Sequence, residues 1–562
     1  MHTDQSRFSR WPTALALAAL AALVAILYGP YLRNPPVFDD RYLFSGLYFA
    51  EYARFPLGFG LRLPAFFSFA FVQTVLGSIE AHRIVSLLLH AGCVWALYGL
   101  LRSLALRRLT AFAGAALFAV HPVAVYGAGY LAQRPTVIAT LFSLLALQMF
   151  LRGLRTGLIS DVVPAAVLYS LAVLSKEPAI LLPAAAAALA PLAGARPRFA
   201  LKYTALFLAL CAPAALLVVH LSLAKIGSAY EPHLESIMVQ VSAAPGIDAV
   251  TSPWLASMLV QTVLFFRYLQ TWLLPSTEEM ALDLRVDFAQ YWAPGMALPA
   301  VLALVVLAAL AVLLVSRRSP AALAGWGFLY FLILFGSEFA TVRFQEPFVL
   351  YRSYLWAPGI IVAVASGLDR LPPRVLVAFM VPALALLSWQ AQDRLRSFSS
   401  GLAVWEDAAA KLPQEPVPGG YRPLYELGRE YLYAGRLNDA VDVVERCIRL
   451  YPRLFECAFA RVAIQMEMKD YEKALPSIMY AIGLRPRDGA SRHHLGFILE
   501  NLGCKREALP QYRLAVEFGF GGAEYRLQAA ETPGKGLLLP VRPARQVDCK
   551  ALLARYPIPK PG

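Results

Sequence analysis

Residues 11–40 read WPTALALAALAALVAILYGPYLRNPPVFDD. The run from 11 to 30 contains no charge, and a proline-rich turn then delivers two adjacent acids, Asp39 and Asp40. A hydrocarbon core ~30 Å thick needs about 20 such residues in a helix, so this stretch predicts a membrane span that opens directly onto polar chemistry. No clear small-residue cleavage site follows it, which favours a retained span over a removed signal.

The same pattern recurs at 82–101, 110–128, 136–153, 161–175, 177–193, 201–223, 296–316, 321–337, 352–368 and 372–389. The stretch 251–273 is also apolar, but Arg267 interrupts it, and it reads as a re-entrant or interfacial helix. Across 562 residues 58% are hydrophobic and 16% charged, against ~25% charged in a soluble domain, which excludes an ordinary cytosolic enzyme.

Basic residues in short loops orient the spans. Arg102, Arg107, Arg108, Arg152, Arg155, Arg196, Arg198, Lys202, Arg317 and Arg318 fall on one side, which the rule assigns to the cytoplasm. The first loop and everything after 390 are then external. Arg33, Arg41, Arg54 and Arg62 run against the rule in that first external loop, where an anionic lipid substrate would require fixed positive charge.

Beyond 420 the periodicity changes. Ala440, Ala474 and Ala508 recur every 34 residues, as do Leu427, Arg461 and Leu495, Gly428, Val462 and Gly496, and the pair Pro452 and Pro486. This is the tetratricopeptide period, in which small residues let paired helices approach and proline ends the second helix. Phe520 stands where a third proline is expected, so the array ends in a degenerate cap near 530. Such arrays leave a concave surface that serves either as a peptide-binding groove or as a scaffold. Residues 391–562 hold 25 basic and 20 acidic residues with no basic stripe, which argues against nucleic acid as a partner.

Of six cysteines, Cys93 and Cys211 fall in spans and read as packed thiols. Cys447, Cys457, Cys504 and Cys549 have neither CxxC nor metal-ligand spacing, and Cys447 falls on a core phase of the first repeat, so a buried free thiol is expected there.

Charges beside hydrocarbon must be paired, hydrated or used. Asp39 and Asp40 raise one another's pKa, so one of them suits a catalytic base; the alternative is a helix cap. Glu80, His82 and Arg83, then His121 with Pro122, Gln133 with Arg134, the Ser175-Lys176-Glu177 break, and Arg343, Glu346, Arg352 and Tyr354 all fall on the same external side. Packing alone does not require that coincidence. Arginine suits bidentate phosphate contacts and lysine a point charge, so the group reads as a pocket for a lipid phosphate.

Several stretches carry a family resemblance: FDD at 38–40, HRIVSLLLHAGCVWALYGLLR from 82, LFAVHPVAVYGAGYLAQRPTVIATLFSLLAL from 117, LAVLSKEPAILLP from 171 and YRSYLWAPG from 351. Together they resemble bacterial relatives of the transmembrane and tetratricopeptide-repeat O-mannosyltransferases, within the GT-C glycosyltransferase superfamily. The loop at 225–295 and the short array depart from that pattern. The resemblance implies an all-α chain, a polytopic membrane GT-C-like fold of about eleven spans followed by a periplasmic tetratricopeptide α-solenoid. Its parts would be a glycosyltransferase domain at 1–390, a linker at 391–420, repeats at 421–530 and a tail at 531–562. It implies a bacterial inner-membrane enzyme that moves a sugar from a polyprenyl-phosphate donor to a hydroxyl, such as Ser or Thr of an exported protein held by the repeats. One of Asp39 or Asp40 would be the base. Arg83, Arg134 and Lys176 would lie in the donor-phosphate region, with His121 and Glu177 supporting the pocket; His82, Arg343 and Arg352 join the candidate binding residues through their shared membrane face. No metal would be required, since cations can stabilise a monophosphate leaving group. A glycan polymerase or ligase, with the Arg267 region then important, and a non-catalytic envelope assembly factor are the competing readings.

Overall fold

The computed structural model describes residues 13–44, 60–228, 237, 252–531 and 547–559. Arg54 lies outside them. The described chain is helical almost throughout, and the one β-bridge found among these residues joins Leu284 to Phe348. It divides into two compact units, Met1–Lys411 and Leu412–Gly562.

In the first unit, Thr13–Tyr31, Ile79–Ser103, Leu131–Thr156, Pro197–Lys225, Pro294–Ser316, Ala322–Ala340 and Pro373–Ser397 are long and apolar enough to cross a membrane. Arg108–Val120 and Pro122–Ala128 add an eighth if they form one span broken by a 53° bend. The break has a local cause. His121 is extended, with φ −66° and ψ 130°, and Pro122 has no N–H with which to continue the helix. Shorter apolar helices occupy Leu63–Val75, Ile159–Ser175, Glu177–Ala193 and Ala357–Leu368. This is a multi-pass membrane protein with an extramembrane helical array at its C-terminal end.

Small residues set the closest approach within this unit. A Cβ on Gly359 would meet the carbonyl of Gly327, and one on Gly327 the carbonyl of Gly359, so the helices Ala322–Phe335 and Ala357–Leu368 cross backbone to backbone. The ambiguous 251–273 stretch is the helix Pro253–Leu273, with Ser252 capping Leu255 N–H. Its inner face is buried and polar in places: Gln261 donates to the Pro347 carbonyl at 2.7 Å, and Arg267 lies over the Phe348 ring at 4.6 Å and donates to Tyr291. Residues 391–411 complete the unit with the end of Pro373–Ser397 and the helix Gly401–Ala410. There Arg394 and Lys411 share Asp407 and both donate to the Met280 carbonyl.

The second unit stacks three helix pairs: Tyr421–Tyr433 with Leu437–Leu450, Phe455–Glu467 with Tyr471–Leu484, and Gly489–Asn501 with Lys505–Glu517. The helix Glu524–Glu531 follows. Ala440, Ala474 and Ala508 are buried at the pair contacts, as their shared phase predicts. A Cβ on Gly428 would strike Val444, and one on Gly496 the Tyr512 ring. The expected free thiols are corrected. Cys447 is bonded to Cys457 and Cys504 to Cys549, while Cys93 and Cys211 remain free and buried. The first bond joins the end of one repeat to the start of the next, and the second brings in the tail. Their Cα separations of 5.9 and 5.6 Å arise from folding and leave no trace in cysteine spacing.

Candidate active site

The acidic pair sits at the end of a strained turn. Phe38 has φ 46°, a region that residues with a Cβ rarely adopt, and its ring stands edge-on to Trp405 at 5.2 Å. The short helix Asp39–Leu43 follows at once. Asp40 is fully buried, and its Oδ1 accepts the Ala132 N–H at 2.7 Å. Burial pushes its carboxyl up to about 7, against the opposing effects of the Arg83 charge and the N–H groups of Ala132 and Val37. Asp39 is only half-buried, and its backbone N–H donates to the Tyr130 hydroxyl at 3.2 Å.

Arg83 spends its guanidinium on the carbonyls of Asn34, Pro35 and Gly129, at 2.8 to 2.9 Å. It thereby pins the turn after the first span to the 129 region. Arg134 is fully buried and bonded to Ser86, to the His82 carbonyl and to the His82 ring, with Phe69 stacked 3.9 Å from it. His82 also meets Gln73 at 3.1 Å. His121 stacks on Trp272 at 4.2 Å; one of its ring nitrogens faces the Trp272 carbonyl and the other accepts from Val123. All four side chains are held by protein groups; the charges of Arg83 and Arg134 act on Asp40, whereas His121 is engaged at the helix break.

A second group is built around Lys176. The chain is extended at this residue, between the helices Val162–Ser175 and Glu177–Leu181, so the two short apolar helices meet at a polar break. Glu177 pairs with Arg62 at 3.1 Å. The segment Gly336–Ala340 packs alongside and contributes Glu338, which is 1% exposed and contacts both Arg343 at 3.3 Å and Arg352 at 3.1 Å. Arg352 also meets Glu346 at 3.5 Å. Lys176 feels the charges of Arg62, Glu177, Arg352 and Arg343. Among the described residues, however, it has no side-chain hydrogen bond or ion pair.

Neighbouring helices hold this group in place. Tyr268 binds both the N–H and the carbonyl of Val349, Trp272 donates to Ser353, and Ser257 accepts the Arg343 N–H. Across the second span, His90 meets the Tyr354 hydroxyl at 2.6 Å. The two groups adjoin through Tyr130, whose hydroxyl serves Asp39 and whose ring lies 6.3 Å from that of Tyr351, the residue before Arg352.

Thus Lys176, Glu177, Arg343 and Arg352 come together, and Asp39, Asp40, Arg83, His82 and Arg134 form an adjoining group, while His121 is engaged at the helix break. Glu338, Tyr130 and His90 were missed from sequence. An acid at the end of the apolar run GFLYFLILFGSEF was a readable signal for Glu338. Tyr130 and His90 carried none.

Residues 63–222 match the family model described as dolichyl-phosphate-mannose-protein mannosyltransferase, and residues 421–454 match a tetratricopeptide repeat. The first match includes His82, Arg83, His121, Arg134, Lys176 and Glu177 and leaves out both aspartates. Among solved structures the chain is similar to the crystal structure of the Archaeoglobus fulgidus oligosaccharyltransferase in the apo form, with 14% identity and a TM-score of 0.39. That likeness covers 75% of this chain and 60% of the other, so the chain spans less than two thirds of that protein's length. No curated protein matches. The chain thus carries a mannosyltransferase-like segment at residues 63–222 and a tetratricopeptide repeat at residues 421–454.

Proposed function

We propose that the chain transfers a sugar from a polyprenyl-phosphate-linked donor to a hydroxyl acceptor, a Ser or Thr of an exported protein, at the periplasmic face. The observation that carries this reading is the Lys176 amine, which has no hydrogen bond or ion pair among the described residues although Arg62, Arg343 and Arg352 act on it, in a group that adjoins the acidic pair through Tyr130 and Tyr351. A group with surplus positive charge on one side and an open acid on the other fits displacement of a phosphate.

In the proposed step Asp39 takes the acceptor hydroxyl proton, the oxygen attacks the anomeric carbon from the face opposite the phosphate, and the bond from that carbon to the phosphate oxygen breaks. The electron pair leaves with the lipid phosphate, whose growing charge is met by Lys176, Arg343 and Arg352, and the anomeric configuration inverts. Asp39 is assigned as base because it is the more accessible acid. Asp40, locked to Ala132, orients the turn. Arg83 and Arg134 hold the frame. The chemistry requires no divalent metal, so activity survives a chelator.

Eleven spans follow if the bent pair and the short helices Ile159–Ser175, Glu177–Ala193 and Ala357–Leu368 each count as one beside the seven long helices. A periplasmic array agrees with the loop arginines, and its two disulfides suit an oxidising compartment. Its concave surface would hold the acceptor segment.

The test is binding of a polyprenyl phosphate to the purified chain in lipid nanodiscs. Lys176→Ala weakens binding by about tenfold or more, the scale of a close charge pair at an interface. Unchanged affinity would remove the phosphate from this position.

A further inference from the structure

The three carboxylates around Lys176 do not simply dilute its charge. Arg62, Lys176, Arg343 and Arg352 face Glu177, Glu338 and Glu346, and each arginine has a carboxylate within 3.5 Å. Among the described residues the formal balance is one positive charge, on Lys176, whose protonation is weakened by burial and the neighbouring arginines and restored by a bound anion. Glu338 differs from the other two acids. It is 1% exposed, with Oε2 shared between Arg343 and Arg352, while Oε1 is buried with no hydrogen-bond partner among the described residues. A buried carboxylate oxygen without a donor keeps much of its charge unsatisfied, and it acts on any anion brought to the same two arginines.

We infer that Glu338 is a specificity-determining residue that limits the site to one anionic charge and expels the product. The inference rests on the phosphate position proposed above. A donor in which phosphate links lipid and sugar is a diester with a single negative charge, matching the single surplus. Breaking the bond to the sugar leaves a monoester, whose second ionisation lies near pH 6, so it carries nearly two charges at pH 8. The second charge has no further cation to meet among the described residues and lies against Glu338. Product is therefore held less tightly than donor, and lipid pyrophosphates, with more charge, are disfavoured for the same reason. Glu338 contributes no bond to the reacting atoms. It acts through Arg343 and Arg352.

Two lipid probes without sugar isolate the charge: a polyprenyl methyl phosphate, with one charge, and the matching polyprenyl monophosphate, with nearly two at pH 8. The parent chain in neutral nanodiscs binds the methyl diester more tightly than the monoester; the reverse order overturns the inference without any variant. Glu338→Gln narrows or inverts that preference by tightening monoester binding about tenfold, and in turnover kcat and KM fall together as release slows. Glu338→Asp, which keeps the charge, retains the parental preference. If Glu338 were merely structural, Glu338→Gln would weaken both probes equally, and that result refutes the proposed role. Should Glu338→Gln fail to fold, the parental comparison still decides. Lys176→Ala separates the two layers: loss of affinity for both probes supports the phosphate position independently of Glu338, whereas unchanged affinity overturns position and inference together.

Discussion

Asp40 shows how one residue's surroundings divide labour within a pair that looks symmetrical in sequence. Its neighbour is half-open, while Asp40 is sealed against Ala132 with its carboxyl pushed up to about 7 by burial. The folded chain thus holds this proton more tightly than the unfolded chain, whose carboxyl titrates near 4. Its contribution to stability is fully present below about pH 4 and is lost as pH rises towards 7. Asp40→Asn removes that loss. Relative to the parent, the variant should gain thermal stability at pH 8 and show no such gain at pH 4, read by unfolding in detergent. A deficit that is the same at both values would refute the raised pKa. The acidic pair, Lys176 and the late arginines were legible in the sequence because charge is scarce in an apolar chain. The division between Asp39 and Asp40 was not, since it depends on a backbone N–H from 92 residues away. Glu338 had a readable signal at the end of its apolar run, but its pairing with Arg343 and Arg352 arises only in the fold.

At the level of elements, apolar runs and the 34-residue period located nearly every helix, because burial in lipid or in a repeat core imposes a pattern that survives in composition. What escaped was how elements lock. The crossing at Gly327 and Gly359 leaves no room for a side chain. Gly359→Leu should therefore cost about 1–3 kcal/mol or more through overpacking and lower the yield of folded protein, whereas Gly367→Ala, where a Cβ meets nothing within 4 Å, should be tolerated. The bond between Cys504 and Cys549 ties the helix Cys549–Arg555 to the array, and Arg492 donates to the Pro559 carbonyl. Replacing both cysteines by serine is expected to destabilise the array by about 2–4 kcal/mol, seen as an earlier transition in denaturant. An unchanged midpoint would mean that the tail docks without its cross-link.

Over the whole molecule, the low overall charge blends an apolar body with a charged repeat array, and it is the body that makes each remaining charge informative. Two adjoining polar groups, an acid pair framed by Arg83 and Arg134 and a cationic group centred on Lys176, are joined by Tyr130 and Tyr351. In the proposed reaction the first group would take a proton and the second would receive a phosphate. If this pair of groups carries sugar transfer from a lipid phosphate as proposed, turnover reads it out. Purified chain in nanodiscs, supplied with polyprenyl-phosphate sugars and hydroxyl-bearing peptides, is assayed beside Asp39→Asn. Transfer with inversion is expected from the parent and a loss of ~10²–10⁴-fold from the variant, with donor binding retained; near-parental transfer by Asp39→Asn would overturn the assignment of the base.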